Sequence, residues 1–193
     1  MFTFDQALEI DYFSHIAFVA IGLIILSLAS MKLPGVRFLP SKVNLKVFAL
    51  ISSVFIAIQL GTTQFGTQAL GTEISRNGLL PVVLLIVFEG VVVGWTEEFL
   101  FRGCIQRVLD VKFPGITRIR LKFGTIYASL IFGAVHLINI ALGQALGATL
   151  AQVSFAIFFG LVVGWFYERR NDLSGAAWIH NINDFLATII PYI

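Results

Sequence analysis

Six long apolar stretches constrain the fold of this chain more than any other feature. They cover residues 13–31, 47–63, 79–94 with an extension toward Arg102, 123–142, 146–167 and 173–193. A helix of about 20 apolar residues crosses the hydrocarbon core of a bilayer. A segment in lipid must satisfy its own backbone hydrogen bonds, and the chain lacks the alternating pattern of a β-barrel. The sequence therefore predicts an all-α, polytopic bundle of about six transmembrane helices.

The composition agrees with an integral membrane protein. Of the 193 residues, 58% are hydrophobic and only 12% are charged, whereas a soluble domain is about half apolar and a quarter charged. We expect one membrane domain over residues 1–193. The N-terminal region is acidic, with Asp5, Glu9 and Asp11, so we expect the first apolar segment to be a retained anchor and not a cleaved signal. The single cysteine, Cys104, excludes an intramolecular disulfide and is expected to be a buried packing residue.

The basic residues predict an orientation in the membrane. Twelve of the thirteen lysines and arginines lie between spans one and two, three and four, or five and six. They are Lys32, Arg37, Lys42 and Lys46, then Arg102, Arg107, Lys112, Arg118, Arg120 and Lys122, then Arg169 and Arg170. The positive-inside rule places these three loops in the cytoplasm. We therefore expect a multi-pass protein of the plasma (inner) membrane with both termini outside.

Two further patterns concern helix packing. Residues 99–111, with Leu100, Cys104, Val108 and Val111 on one face, are expected to form an amphipathic interfacial helix that ends at 114–115. Glycines recur at four-residue spacing at positions 90 and 94, 143 and 147, and 160 and 164, which lets helices approach closely in lipid. We expect the first and third pairs to pack helices within the monomer.

Two adjacent carboxylates, Glu97 and Glu98, follow directly on the third apolar stretch, and Arg102 comes four residues after the second. On a helix Glu98 and Arg102 share a face and can form an ion pair. Glu97 lies about 100° round the axis and points elsewhere. An acid in the hydrocarbon layer is costly, so Glu97 is expected to face the bundle interior and to have a functional role.

Ionisable residues on later spans could supply a partner for Glu97. His136 lies in the fourth stretch, and His180 and Asp184 are four residues apart on one face of the last. A Glu with a His can activate water, and a second His can stabilise a developing oxyanion. The same four residues are candidates to hold a divalent metal such as Zn²⁺. No Ser or Cys stands in a nucleophile motif, so a serine mechanism is not expected.

Two other polar residues, Glu89 and Asn183, lie in the apolar stretches. Glu89, eight residues before Glu97, either lines a cavity or is a buried hydrogen-bonded acid. Asn183 is expected to be structural, as a bridge between helices. Counted along straight spans, Glu97 lies near the inner edge of the bilayer and His136 well inside it. The two can meet only if span three tilts or the bilayer thins.

Three motifs together resemble a known family. Residues 97–102 match the EExxxR motif of the CAAX-processing and bacteriocin-processing (CPBP, or ABI) intramembrane proteases, which are described as glutamic proteases or metalloproteases. Residues 132–136, beginning at Phe132, match the FxxxH motif of that family, and His180 with Asp184 matches its third motif. The similarity covers about residues 79–184, although Asp184 stands where many members have Asn.

The resemblance implies an intramembrane endopeptidase. It implies that Glu97 and His136 activate water, that His180 and Asp184 stabilise the oxyanion, and that Glu98, Arg102 and Phe132 support the site. We expect a membrane-associated peptide or protein substrate, the lipid bilayer as a partner, and no nucleic acid. A divalent metal and the oligomeric state stay open. The alternatives are a non-catalytic scaffold or bacteriocin-immunity protein of the same family, and a small transporter or proton pathway.

Overall fold

The computed structural model describes residues 4–32, 34, 39–62, 69–118 and 120–192, with side chains described from Tyr12 onward. Arg37 and the last residues of two predicted spans, Thr63 and Ile193, lie outside the described residues. The side chains of the acidic N-terminal residues lie outside them as well. The expectations for these positions therefore stay predictions.

Helices make up the regular structure of the described residues, apart from one isolated bridge between Ile116 and Lys122. In chain order they are α1 (Phe4–Leu28), α2 (Leu45–Thr62, preceded by a 3₁₀ turn at Lys42–Asn44), α3 (Leu70–Asn77), α4 (Leu79–Lys112), α5 (Phe123–Val135), α6 (Ile138–Ala141), α7 (Leu146–Arg170) and α8 (Leu173–Ile189, followed by a 3₁₀ turn at Ile190–Tyr192). The predicted all-α fold is confirmed.

Four helical stretches of the described residues are long and apolar enough to cross a bilayer: Lys42–Thr62, Leu79–Lys112, Phe123–Ala141 and Leu146–Arg170. The apolar part of α1, Tyr12–Leu28, and the 17-residue α8 are shorter. All six predicted stretches contain a helix, and over the described residues four of them meet both the length and the hydropathy of a membrane span. Many large hydrophobic side chains are exposed on these helices, as expected for a surface that faces lipid.

The expected interfacial helix over residues 99–111 is not a separate element. α4 continues without a break to Lys112, and its residues 99–106 form a π-helical segment. Arg102, Cys104 and Gln106 are fully buried there, because α1, α5 and α8 pack around this segment. On the predicted apolar face, Leu100 and Cys104 are buried by other helices, whereas Val111 at its end is exposed.

The length of α4 also removes the expected mismatch in depth. Glu97 lies 15 residues before the end of α4, about 22 Å along the axis at 1.5 Å per residue. His136 lies 13 residues after the start of α5, about 20 Å from the same end of the bundle. Because α4 extends ten residues beyond Arg102, the two side chains reach similar depths without special tilting.

The core is built by aromatic residues from four helices. Phe55 of α2, Phe101 of α4, Phe132 of α5 and Phe159 of α7 are nearly or fully buried and pack in one cluster. The most extensive packing is between α8 and α4, followed by that between α5 and α7, and α8 also packs against α2. This arrangement surrounds α8 with helices on several sides and places its polar residues inside the bundle.

Close helix contacts occur where the sequence predicts them. A Cβ atom added at Gly94 would lie 2.6 Å from the carbonyl oxygen of Ala177, and one at Gly160 would lie 3.1 Å from Ser129. A Cβ at Gly143 or Gly147 would contact nothing within 4 Å. The first and third glycine pairs therefore pack helices within the monomer, as expected, and the second pair does not.

The three basic loops meet at one end of the bundle. Arg107 donates to the Lys32 carbonyl at 3.0 Å, and Arg169 donates to the Arg120 carbonyl at 2.7 Å. In the loop before α2, the backbone N–H of Ser41 donates to the side chain of Asp172, which is the N-cap of α8. This clustering supports the common side that the charge pattern predicts. Which side of the membrane it is stays a prediction.

Three of the predicted loop charges, Arg102, Arg107 and Lys112, lie within α4. Arg102 is fully buried, so it belongs to the interior of the bundle and not to a basic loop.

Candidate active site

Two π-helical segments of α4, Phe88–Val93 and Phe99–Gln106, flank a short α-helical segment, Gly94–Glu98, which carries the two carboxylates. A π-helical turn disturbs the regular backbone hydrogen bonds and is frequent at functional sites. Asn181 of α8 compensates for this disturbance: its amide donates to the Val91 carbonyl at 3.1 Å and accepts from the Gly94 backbone N–H at 2.7 Å. The carboxylates are thus presented from a segment that α8 holds directly.

Glu98 joins an arginine and a histidine in the interior. Its Oε2 lies 3.1 Å from Arg102 Nε, and both side chains are fully buried. Its Oε1 lies 2.9 Å from Nδ1 of His180. The Arg102 guanidinium also lies over the Phe132 ring, 5.2 Å from its centroid. The predicted Glu98–Arg102 pair is therefore confirmed, and it also orients the imidazole of His180.

His180 connects the carboxylates of two helices. Its Nε2 lies 3.2 Å from Asp184 Oδ2 and 3.5 Å from Glu97 Oε2, while Nδ1 faces Glu98. The predicted common face of His180 and Asp184 is confirmed by this contact. Because both ring nitrogens face carboxylate oxygens, this imidazole is arranged as a hydrogen-bond donor on both sides.

Glu97 lies between two imidazoles. Its Oε2 faces His180 of α8, and its Oε1 lies 3.5 Å from Nε2 of His15, a residue of α1. The side chains of both Glu97 and His15 are largely shielded, with exposed fractions of 13% and 7%. The expectation that Glu97 faces the interior, away from Arg102, agrees with this geometry.

His136 lies at the C-terminal end of α5, and its imidazole is one of three near the Glu97 carboxylate. Its Nδ1 lies 2.9 Å from the Phe132 carbonyl oxygen. A carbonyl only accepts, so Nδ1 carries the proton and Nε2 of the neutral ring is left as an acceptor. The Phe132 ring lies between the imidazoles of His136 and His180, with centroids 5.2 and 5.7 Å away. This fits the supporting role expected for Phe132.

Asp184 is linked through a short chain of hydrogen bonds to α2. Asn183 donates to Asp184 Oδ1 at 3.1 Å and accepts from Gln59 of α2 at 2.9 Å. Asn183 therefore bridges two helices, as expected. It also leaves Asp184 Oδ2 directed at His180.

An apolar groove of about 550 Å³ runs between α1 and α4 beside these residues. Its lining comes from both helices: Tyr12, His15, Ile16, Val19, Ala20, Leu23, Phe88, Val92 and Thr96. His15 and Thr96 place one part of the groove next to Glu97. Glu89 does not line it, so the cavity role considered for Glu89 finds no support in this groove.

A metal site would require several His, Cys, Asp or Glu side chains to converge on one point. Within the part of the chain that the structure describes, no group of three or more His, Cys, Asp or Glu side chains is arranged to hold a metal ion. Glu97, His136, His180 and Asp184 thus do not form a ready-made metal site in this arrangement. A divalent metal at these residues stays a prediction.

Comparison with known proteins places the chain in a family. The model of the family described as type II CAAX prenyl endopeptidase Rce1-like matches residues 79–186, more than half of the chain. The chain belongs to the Rce1-like family. This confirms the resemblance drawn from the three motifs, and it supports a protease function of the CAAX-protease type. No curated protein and no solved structure matches the chain.

The Rce1-like match starts at α4 and therefore leaves out α1, which supplies His15. Sequence reasoning missed His15 even though it is one of only three histidines and lies in an apolar stretch. An ionisable side chain in a membrane span is costly, and this argument, which pointed to His136 and His180, applies equally to His15. Asn181 was missed for a different reason, because no sequence pattern predicted the π-helical segment that it stabilises.

Proposed function

We propose that this protein is an intramembrane endopeptidase that hydrolyses a peptide bond of a membrane-associated substrate. The observation that carries the proposal is the division of roles among the polar groups. His180 is engaged by carboxylates at both ring nitrogens, whereas His136 keeps Nε2 as an acceptor near Glu97. Water activation therefore falls to Glu97 and His136, and oxyanion stabilisation to His180 with Asp184.

In the proposed reaction a water molecule binds between Glu97 and Nε2 of His136. Glu97 accepts a proton as the water oxygen attacks the scissile carbonyl carbon, and a tetrahedral oxyanion forms. Nε2–H of His180, held beside Asp184, donates to that oxyanion. The carbon–nitrogen bond then breaks, and the proton held by Glu97 passes to the leaving amine.

The groove between α1 and α4 supports a substrate that reaches the site from the lipid. It is lined almost entirely by apolar side chains and lies beside Glu97 through His15 and Thr96. An apolar segment of a membrane-anchored peptide would be stabilised there by close packing, because transfer from lipid to an apolar groove gains little by itself. We assign this groove to the apolar part of the substrate.

The proposal is tested by turnover of a fluorogenic, membrane-anchored peptide in liposomes that contain the full chain. Glu97→Gln should lower kcat by roughly 10²–10⁴-fold, the usual contribution of a general base. Glu89→Gln, a change of another acid in α4, is the matched control and should stay within a few-fold of wild type. Thermal melts should show that both variants fold.

Wild-type turnover by Glu97→Gln would refute the assigned role. A folded wild-type protein without turnover on any anchored peptide would favour the non-catalytic scaffold or immunity function.

A further inference from the structure

We propose that His15 of α1 is a positioning residue for Glu97, so that the active site is completed by a helix outside the family-matched region. The proposal rests on the peptidase function proposed above. His15 does not touch the reacting bond in this scheme. It holds one oxygen of the Glu97 carboxylate so that the carboxylate is correctly aimed at the water.

The immediate geometry of His15 fits this role. Its Nε2 lies 3.5 Å from Glu97 Oε1, and the Ser14 hydroxyl lies 3.3 Å from its Nδ1. A hydroxyl can donate or accept, and the tautomer in which it donates to Nδ1 carries its proton on Nε2, the nitrogen that faces the carboxylate. The ring stands edge-to-face against Phe88 at 5.1 Å and Phe18 at 5.4 Å, which restricts its rotation.

The backbone of α1 is also held in place. A Cβ atom added at Gly22, two turns after His15, would lie 2.8 Å from the Phe99 ring and 3.0 Å from Cys104 Sγ. This close approach fixes α1 against the very segment of α4 that follows Glu97. The contact between His15 and Glu97 therefore rests on tight packing of two helices and not on a flexible side chain alone.

The second oxygen of Glu97 shows why a positioning residue matters. That oxygen faces His180 on the opposite side of the site, at 3.5 Å. With His15 removed, the carboxylate keeps one imidazole contact and is free to rotate toward the groove or toward α8. A misplacement of about 1 Å at a catalytic group can cost about 10²-fold in rate.

The test compares three variants of the full chain in the peptide assay. His15→Phe keeps a ring but removes both nitrogens, and it should lower kcat roughly 10- to 100-fold with KM within about twofold. His15→Gln keeps an N–H donor at a similar reach and should recover most of the lost kcat. Phe13→Leu, which changes an aromatic residue on the exposed face of α1, is the matched control and should keep near wild-type kcat.

One double mutant, measured in two ways, separates a role through Glu97 from a general structural effect. Combined with Glu97→Gln, His15→Phe should cause little further loss of residual kcat. The same cycle measured by thermal unfolding in detergent should also be non-additive, because it reports the contact without requiring turnover.

Unchanged kcat in His15→Phe, or an equal loss in His15→Gln, would overturn the proposal. If the wild-type protein shows no turnover, the peptidase function fails, and the melting cycle decides alone. Additive melting temperatures would then overturn the contact itself, whereas coupled ones would retain His15 as the residue that holds Glu97.

Discussion

Replacement of Arg102 by methionine is the sharpest test of how the interior is held together. Arg102 and Glu98 are both fully buried, with Nε and Oε2 3.1 Å apart. Removing one partner of a buried ion pair leaves an uncompensated charge and costs about 3–5 kcal/mol. For a domain of about this size each kcal/mol lowers the melting temperature by roughly 2–4 °C, so Arg102→Met should melt roughly 6–20 °C below wild type.

A double mutant that removes both charges of this ion pair gives a second expectation. Glu98→Gln alone should also destabilise, because it strands the guanidinium over the Phe132 ring. The double mutant Glu98→Gln/Arg102→Met contains no buried charge at these positions. Its free energy of unfolding should be closer to wild type than that of either single mutant, since a buried ion pair is often replaced by neutral residues at little cost.

The measurement is thermal unfolding of purified protein in one detergent, followed by circular dichroism. Arg169→Met is the matched control: its side chain is 45% exposed and its Nε lies 3.7 Å from Glu168, so the loss should be about 1 kcal/mol or less. A loss in Arg102→Met no larger than in this control would refute the argument. So would a double mutant that loses the sum of the two single losses.

Three further predictions address close packing, metal dependence and topology. Gly94→Ala should destabilise by about 1–3 kcal/mol in the same melts, because its Cβ would lie 2.6 Å from the Ala177 carbonyl oxygen; an unchanged melting temperature would contradict this. Asp184→Asn should keep or raise turnover with little effect of a chelator, because an amide can donate to an oxyanion; chelator sensitivity with rescue by Zn²⁺ would instead favour a metal. A cysteine at the exposed Gln144 should be labelled from outside the cell and one at the exposed Arg170, near Asp172, only after permeabilisation, and the reverse pattern would invert the predicted topology.

The parts of the site that the sequence predicted are those that depend on local helix geometry. Glu98 with Arg102, and His180 with Asp184, are pairs at four-residue spacing, and each lies in contact in the structure. Any helix through these residues brings such pairs together, whatever packs around it. The all-α fold follows for a similar reason, because long apolar runs must satisfy their own backbone hydrogen bonds in lipid.

Local sequence patterns could not predict how far α4 extends beyond Glu98. The residues after Glu98 look amphipathic, and that pattern fits a surface helix and a buried helix end equally well. Burial of Arg102 and Gln106 requires α1, α5 and α8 around them, which no local pattern specifies. The same continuation of α4 brings Glu97 to the depth of His136.

The sequence by itself thus determined a helical membrane protein, its basic end, its family motifs and the pairs within single helices. Only the tertiary structure decided which helices share the site. His15 and Glu97 are 82 residues apart, and Asn181 meets the backbone of α4 from 87 residues away. Such contacts depend on which helices face one another and how they are rotated. Glycine spacing predicts that helices pack closely but does not name the partner helix, and no sequence pattern predicts the π-helical turns.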